Sequence, residues 1–430
     1  MRSMSSPSWS RTELLVLVGI LLIGTFLRIG AAMVVPSPLE SDYLGYWTLA
    51  NNLYAGHGLT GDDGQPTAFL NLGYPVFLSG VFTVLGPTVA AVKTANVLLG
   101  AAAVLLMYLA TRRMFGFWPI AALAAGLLAC YLEAIVYAAY AAKENLMVFL
   151  LAAQLALAAA AQNSGGWRHL NSVLFGVATG CMAVVGNAGL ALLPGFLLRI
   201  FFVAGTTARA VRYLAFAAAA GGLVIAPVLW RNHQVFDAYV LNNNEGFNLY
   251  IGNNPRATPY FESISMTPIG DQWQSRRAQL GEHGVNVMLR DIALQYMLHN
   301  PEATLQLAFR KAVAFWWPPV HSGKNQEGTV ELFMRYVWLI QFCLIGGLFL
   351  LSTVWLRSFL HQLGIIWLLV GGYTAVHMVF YVVYRYRLPV MPVMCIGASV
   401  SAQMMLSWVF RNRFGRPHAS LDADARQLPD

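Results

Sequence analysis

The sequence predicts an all-α protein that crosses a membrane many times. Three observations carry this. Of its 430 residues 57% are hydrophobic and 11% charged, where a soluble protein carries roughly 25% charged residues. Apolar runs of roughly 18 residues or more recur along the chain, each long enough to cross a ~30 Å hydrocarbon core as a helix. No run alternates with period two, which argues against a β-barrel.

The first apolar run, Leu14 to Val35, follows Arg2 and Arg11. It is too long for a signal-peptide core and lacks a cleavage site, so it reads as a first span entering from the cytoplasm. Further spans are expected near 88–111, 118–137, 145–162, 171–186, 188–204, 213–230, 332–355, 363–383 and 388–410, about ten in all. With that parity Arg112, Arg113, Arg168, Arg209, Arg212, Arg357, Arg411, Arg413 and Arg416 lie on the cytoplasmic side, as the positive-inside rule requires. The formal net charge of +8 is thereby assigned to membrane topology rather than to nucleic acid. Gly73–Leu85 is apolar but too short to span, and counting it would invert every later loop. It is expected as an interfacial or re-entrant helix on the outer face.

Two outer regions result, 36–87 and 231–330. The second contains an amphipathic pattern over Val285–His299. After it, Asn300-Pro301-Glu302 marks the start of another helix, ending near Trp317 at the membrane interface. The tail 411–430 is polar and expected to be disordered and cytoplasmic. Cys130, Cys181, Cys343 and Cys395 lie in apolar segments with neither metal nor disulfide spacing, and read as packing residues.

The polar residues of the outer face are the functional candidates. Asp42 opens a helical pattern in which Tyr46, Leu49, Ala50 and Leu53 share one side. A helix N-terminus favours its ionised form, which suits a general base, a metal ligand or a simple cap. Glu144, beside Lys143, enters the fourth span, and an ionisable residue there is a functional candidate by default. Its bland alternative is a headgroup-level acid paired with Lys143. Glu133 is a similar, weaker case. Arg385 and Arg387 occupy a short outer loop against the positive-inside rule. A planar guanidinium binds phosphate well, although lipid headgroups or an ion pair with Glu331 would also offset the charge. Lys93, and Arg28 by snorkelling, could join the same phosphate site. Asn248, Asn253 and Asn254, in an Asn- and aromatic-rich stretch, suit sugar hydroxyls and ring faces, but also plain turns.

In this order the clusters resemble the C-type membrane glycosyltransferases, in particular glycosyltransferase family 39 and its bacterial relatives, which include the lipid A aminoarabinose transferases. The resemblance runs over about 10–410. Asp42, Tyr46, Ala50, Leu53, Gly56 and Gly58 match the family's first acidic motif. Leu72-Gly73-Tyr74-Pro75-Val76-Phe77-Leu78 follows a family element but lacks its first proline. Asn96, Gly100, Arg112, Arg113, Phe115 and Gly116 match the next span, and Glu144 falls on the second acid. Pro227, Arg231, Asn232, Gly246, Asn248, Leu249, Gly252, Asn253, Asn254 and Pro255 match the outer-loop element, with the tryptophan shifted to Trp230. Arg385, Tyr386, Arg387, Pro389 and Pro392 match the last.

The resemblance implies a multi-pass protein of the bacterial inner membrane. It would transfer a sugar from a polyprenyl-phosphate donor to a hydroxyl of an envelope acceptor at the periplasmic face, among membrane lipids. Asp42 would serve as base in an inverting displacement. Glu144 would orient the acceptor or a metal. Tyr46, Lys93, Asn248, Asn253, Asn254, Arg385 and Arg387 would bind substrate. Some relatives use a divalent metal, and no His/acid cluster with ligand spacing settles that point here. A transporter or flippase of a lipid-linked sugar is the alternative from another class. It would predict inverted repeats and paired broken spans, which the sequence does not show.

Overall fold

The computed structural model describes residues 9–161, 167–318 and 328–414. Sixteen α-helices make up the described chain: α1 Arg11–Val34, α2 Ser41–Tyr54, α3 Gly73–Leu85, α4 Val89–Phe115, α5 Trp118–Ala129, α6 Leu132–Val136, α7 Lys143–Ala159, α8 Trp167–Val185, α9 Leu193–Ala204, α10 Thr207–Phe236, α11 Glu245–Gly252, α12 Trp273–His299, α13 Pro301–Trp316, α14 Thr329–Leu351, α15 Leu360–Val379 and α16 Met391–Phe414. The side chains of Arg168, Arg411 and Arg413, and the tail from 415 on with Arg416, lie outside the described residues.

The protein is a multi-pass membrane protein. Seven helical stretches are long and apolar enough to cross a bilayer, and the bent pair α5–α6 makes an eighth. The two other expected spans are present as α7, 17 residues long, and α8, whose apolar part is His169–Val185. Their polar ends, Lys143-Glu144 and His169, leave the apolar part short of a full crossing, while both pack within the bundle. Gly73–Leu85 forms a separate helix, α3, whose Tyr74, Leu78 and Phe82 are fully buried.

Local chemistry sets the ends of these helices. Ser10 accepts from the amide of Glu13 at the start of α1, and Thr88 does the same for Ala91 at the start of α4. Gly116 closes α4 with φ of 71°, a left-handed conformation that glycine adopts without steric cost. At the far end from α2, Glu13 is buried and bonded to Arg112 Nε and to Tyr108 Oη at 2.9 and 2.7 Å, which fastens α1 antiparallel to α4. α8 packs closely against α10. A Cβ on Gly176 would sit 2.0 Å from the carbonyl oxygen of Ala217, so only glycine permits that approach.

Three expectations are corrected. The span read as 118–137 is broken: α5 and α6 meet at a 55° bend around Cys130-Tyr131. Arg28 does not snorkel outward. Its guanidinium is buried and donates to the carbonyls of Leu128 and Ala129 at the break, at 3.2 and 3.0 Å, and to Gly24 O at 2.9 Å. Gly100 makes room for it, since a Cβ there would lie 2.4 Å from Arg28 Nε. The helix expected over Val285–His299 begins earlier, at Trp273, and is kinked at Gly281, where φ is 71°. Its first part, Ser275-Arg276-Arg277, is polar and exposed, so no apolar stripe marked it.

Candidate active site

Asp42 and Glu144 stand on different helices, 102 positions apart in the sequence, and meet at one guanidinium. Asp42 is the second residue of α2. It makes no capping bond; its carboxylate instead accepts from Arg385 Nη2. Glu144 opens α7 and is 3% exposed, against 34% for Asp42. Arg385 Nε lies 3.3 Å from Glu144 Oε1. That is ion-pair distance, but off the line of an N–H bond, so neither atom has a hydrogen-bond partner. The guanidinium lies over the rings of Tyr43 and Tyr386, at 5.4 and 5.7 Å.

These acids line a cavity of 460 Å³. One part is polar, with Asp42, Lys143, Glu144 and Asn71; Lys143 donates to Asn71 Oδ1 at 3.2 Å. Another part carries Asn244, Glu245, Phe247, Asn248, Phe261 and Tyr381, a mix of amides and ring faces. Leu190, Met147, Val376 and Phe380 supply an apolar wall. Tyr46 also lines it, buried and edge-on to Tyr74. Burial first, then the Asp42 and Glu144 carboxylates, push the Tyr46 phenol well above its ordinary pKa, so it stays protonated and can donate.

Distant residues hold these elements in place. Asn96 donates to the carbonyls of Ala138 and Tyr140, fixing the turn that leads to Glu144. Glu282 accepts from Thr67 Oγ1 (2.5 Å), the Ala68 amide (2.8 Å) and Asn243 Nδ2 (3.1 Å), tying α12 to the segment after α2. Arg231 donates to the carbonyls of Thr67 and Leu59. Asn286 caps α11 by accepting from the amides of Gly246 and Phe247. A Cβ on Gly246 would lie 1.9 Å from the Asn286 carbonyl oxygen, which explains a glycine at that position.

Of the residues singled out in the sequence, Asp42, Tyr46, Glu144 and Asn248 line the cavity, and Arg385 joins the two acids. Asn248 Oδ1 accepts from Tyr381 Oη at 2.9 Å. Four others are placed elsewhere. Lys93 donates to the carbonyls of Ala32 and Val35 and closes the end of α1. Asn253 and Asn254 are buried, and their amides bond to carbonyls of α11; Asn253 also reaches Val379 O. Arg387 is fully buried. It donates to Phe315 O and Trp317 O at the end of α13 and lies over Phe342, Tyr384 and Trp338. The segment Tyr384–Val390 is a 3₁₀ turn, in which residues two apart point about 240° from each other, so the two arginines diverge. Glu133 lies near this second arginine and bonds to Tyr131 and Trp338 instead.

Two cavity residues carried no comparable sequence signal. Lys143 reads as a mere neighbour of Glu144. His377 sits within an apolar helix and is 4% exposed. It lines the cavity, and its Nδ1 donates to Tyr373 O at 2.8 Å, leaving Nε2 as an acceptor.

The fold defines a class: the chain has the fold of the C-type membrane glycosyltransferases. The oligosaccharyltransferase of Archaeoglobus fulgidus, solved with a tethered acceptor peptide, superposes with a TM-score of 0.52 at 15% identity, over 93% of this chain and 50% of that one. ArnT from Cupriavidus metallidurans in the apo state superposes with a TM-score of 0.51 at 16% identity, over 92% of this chain and 61% of that one. The chain thus spans between half and two thirds of the length of these structures. No family model matches its sequence, and neither does any curated protein.

Proposed function

We propose that the protein transfers a sugar from a polyprenyl-phosphate donor to a hydroxyl acceptor at the non-cytoplasmic face of a bacterial inner membrane. Asp42 and Glu144, which line one cavity and are joined by Arg385, carry this reading. Arg112, Arg113, Arg209 and Arg212 stand at the helix ends opposite to this cavity, which supports an outward-facing site under the positive-inside rule. The cavity volume suits a monosaccharide with its phosphate, and its apolar wall suits the first isoprene units.

The chemistry is a single displacement. Asp42 takes the proton of the acceptor hydroxyl as its oxygen attacks the anomeric carbon. The bond from that carbon to the phosphate oxygen breaks, the configuration inverts, and the polyprenyl phosphate departs with the electron pair. Arg385 and Lys143 offset the charge that grows on the departing phosphate. Glu144 holds Arg385 in place and orients the acceptor. Asn248, Phe247 and Tyr381 bind the sugar through its hydroxyls and ring face, with Tyr46 as a further donor. Lys93, Asn253, Asn254 and Arg387 serve binding indirectly, by fixing the ends of α1, α11 and α13.

The test is transfer from a synthetic polyprenyl-phosphate sugar, together with mass spectrometry of envelope glycolipids and glycans in cells with and without the gene. Asp42→Asn should reduce transfer by about 10²-fold or more while the protein folds normally. Retention of full transfer by that variant would rule out Asp42 as the base. A lipid-linked sugar moved across vesicles with no new glycosidic bond would make the protein a flippase.

A further inference from the structure

We propose that the Arg385 guanidinium takes the place of a divalent cation between Asp42 and Glu144, and that the site therefore works without a metal. The inference deepens the transferase reading and rests on it only for what the site does. The placement itself follows from the side chains.

A metal held here would need both carboxylates, and both are already paired with the same guanidinium. Arg385 is not free to withdraw easily, because it lies over the Tyr43 and Tyr386 rings and is only 16% exposed. Its backbone belongs to the 3₁₀ turn that opens into α16. Charge points the same way. Around the guanidinium, Asp42 and Glu144 bring two negative charges and Arg385 and the neighbouring Lys143 two positive ones, while Glu245 lines the other, amide- and aromatic-rich part of the cavity. A dication added to this balanced set meets two cations at short range in a partly buried cavity. The donor set is also thin, and with Arg385 holding both acids nothing is left to complete it. Mg²⁺ demands near-octahedral oxygen coordination, Ca²⁺ takes more oxygens still, and zinc favours three or four His, Cys or acid ligands. Among the described residues no three His, Cys, Asp or Glu side chains come together in a way that could hold an ion. A divalent cation, the group the family resemblance leaves open, thus does not fit these residues.

A fixed guanidinium has chemical consequences. It orients the Asp42 carboxylate, as a metal would, and presents N–H donors in a plane that suits phosphate oxygens. It gives no Lewis-acid activation. The chemistry must then rest on a good leaving group, and a phosphate on an anomeric carbon is one.

The test is Mn²⁺ binding, read by electron paramagnetic resonance on the full-length, chelator-stripped protein in lipid nanodiscs. It requires no turnover, so it remains decisive if the transferase reading fails. The wild type should show no Mn²⁺ binding that Asp42→Asn abolishes. Arg385→Gln should gain such binding, at least about tenfold tighter, because a cation has been removed from beside two carboxylates. Asp42-dependent Mn²⁺ binding in the wild type overturns the proposal, and so does its absence in a folded Arg385→Gln protein. If that variant does not fold, the wild-type titration decides, together with transfer in EDTA: unchanged transfer supports the proposal, and loss restored by Mn²⁺ or Mg²⁺ overturns it.

Discussion

Replacing Arg385 by glutamine should destabilise the protein, and replacing Glu144 in the same chain should restore much of the loss. Glu144 is 3% exposed, and the 3.3 Å ion pair to Arg385 is its compensation. At an effective dielectric of about 20, unit charges at that distance attract by about 5 kcal/mol. Removing one partner of a buried pair typically costs about 3–5 kcal/mol, because the other charge stays behind unpaired. Asp42 is about one-third exposed, so water takes over most of its share, and its contribution is about 1 kcal/mol or less. Glu144→Gln alone should cost about 1–2 kcal/mol, since Arg385 keeps Asp42 as its counter-ion. The double variant Arg385→Gln/Glu144→Gln leaves only Asp42 unpaired and should lie close to that. The coupling energy is then about 3–5 kcal/mol. Apparent melting temperatures of the four proteins, in one detergent and lipid mixture, give the order: Arg385→Gln lowest, the double variant clearly above it. If Arg385→Gln melts with the wild type, or the second substitution recovers nothing, the guanidinium is not what keeps the Glu144 carboxylate in place.

Three further outcomes are expected. Gly246→Ala should cost about 1–3 kcal/mol or more, as its methyl must displace the Asn286 carbonyl 1.9 Å away; thermal unfolding reads the loss. Glu282→Ala removes the acceptor of three bonds to Thr67, Ala68 and Asn243. Amide exchange at Ala68 should rise by at least about tenfold, equivalent to about 1.4 kcal/mol. Lys311 is fully buried on α13 with neutral acceptors, Asn253 Oδ1 and Val379 O, and burial lowers its pKa from 10.5 to about 8. The folded state holds this proton less tightly than the unfolded one, so its cost to stability is full below pH 8 and fades as pH rises to 10.5. Lys311→Met should therefore stabilise the protein more at pH 7 than at pH 10, by a difference on the order of 3 kcal/mol, measured as the change in the variant's melting advantage.

Much of the helical layout was legible because apolar runs bounded by charge have few other meanings. Asp42, Glu144 and Arg385 were legible for the related reason that ionised groups beside such runs need a purpose. What the sequence concealed follows a pattern too. Lys93 and Arg387 look like ligands for phosphate, yet each closes a helix end that is remote in the chain, and only the tertiary arrangement brings those carbonyls to them. Asn253 and Asn254 look like sugar binders, yet the backbone takes their amides. The α5–α6 break falls at Cys130-Tyr131, where no Pro or Gly announces it, and a cation from α1 binds there. Lys143 and His377 reach the cavity through packing, which periodicity does not encode.

That cation has a consequence for biogenesis. During synthesis α1 emerges with Arg28 in its body, and the carbonyl of Ala129 that receives it lies 101 residues downstream. An arginine at the centre of a span costs about 2.5–3.5 kcal/mol on insertion, which bounds the cost of Arg28 in the last third of α1, and translation at about 5–20 residues per second leaves it uncompensated for roughly 5–20 s. The leucines, isoleucines and valines of the rest of α1 must carry it into the lipid meanwhile. The first helix is thus an early entrant that settles only when the fifth arrives, and a ribosome stalled before residue 129 would leave it waiting at the translocon.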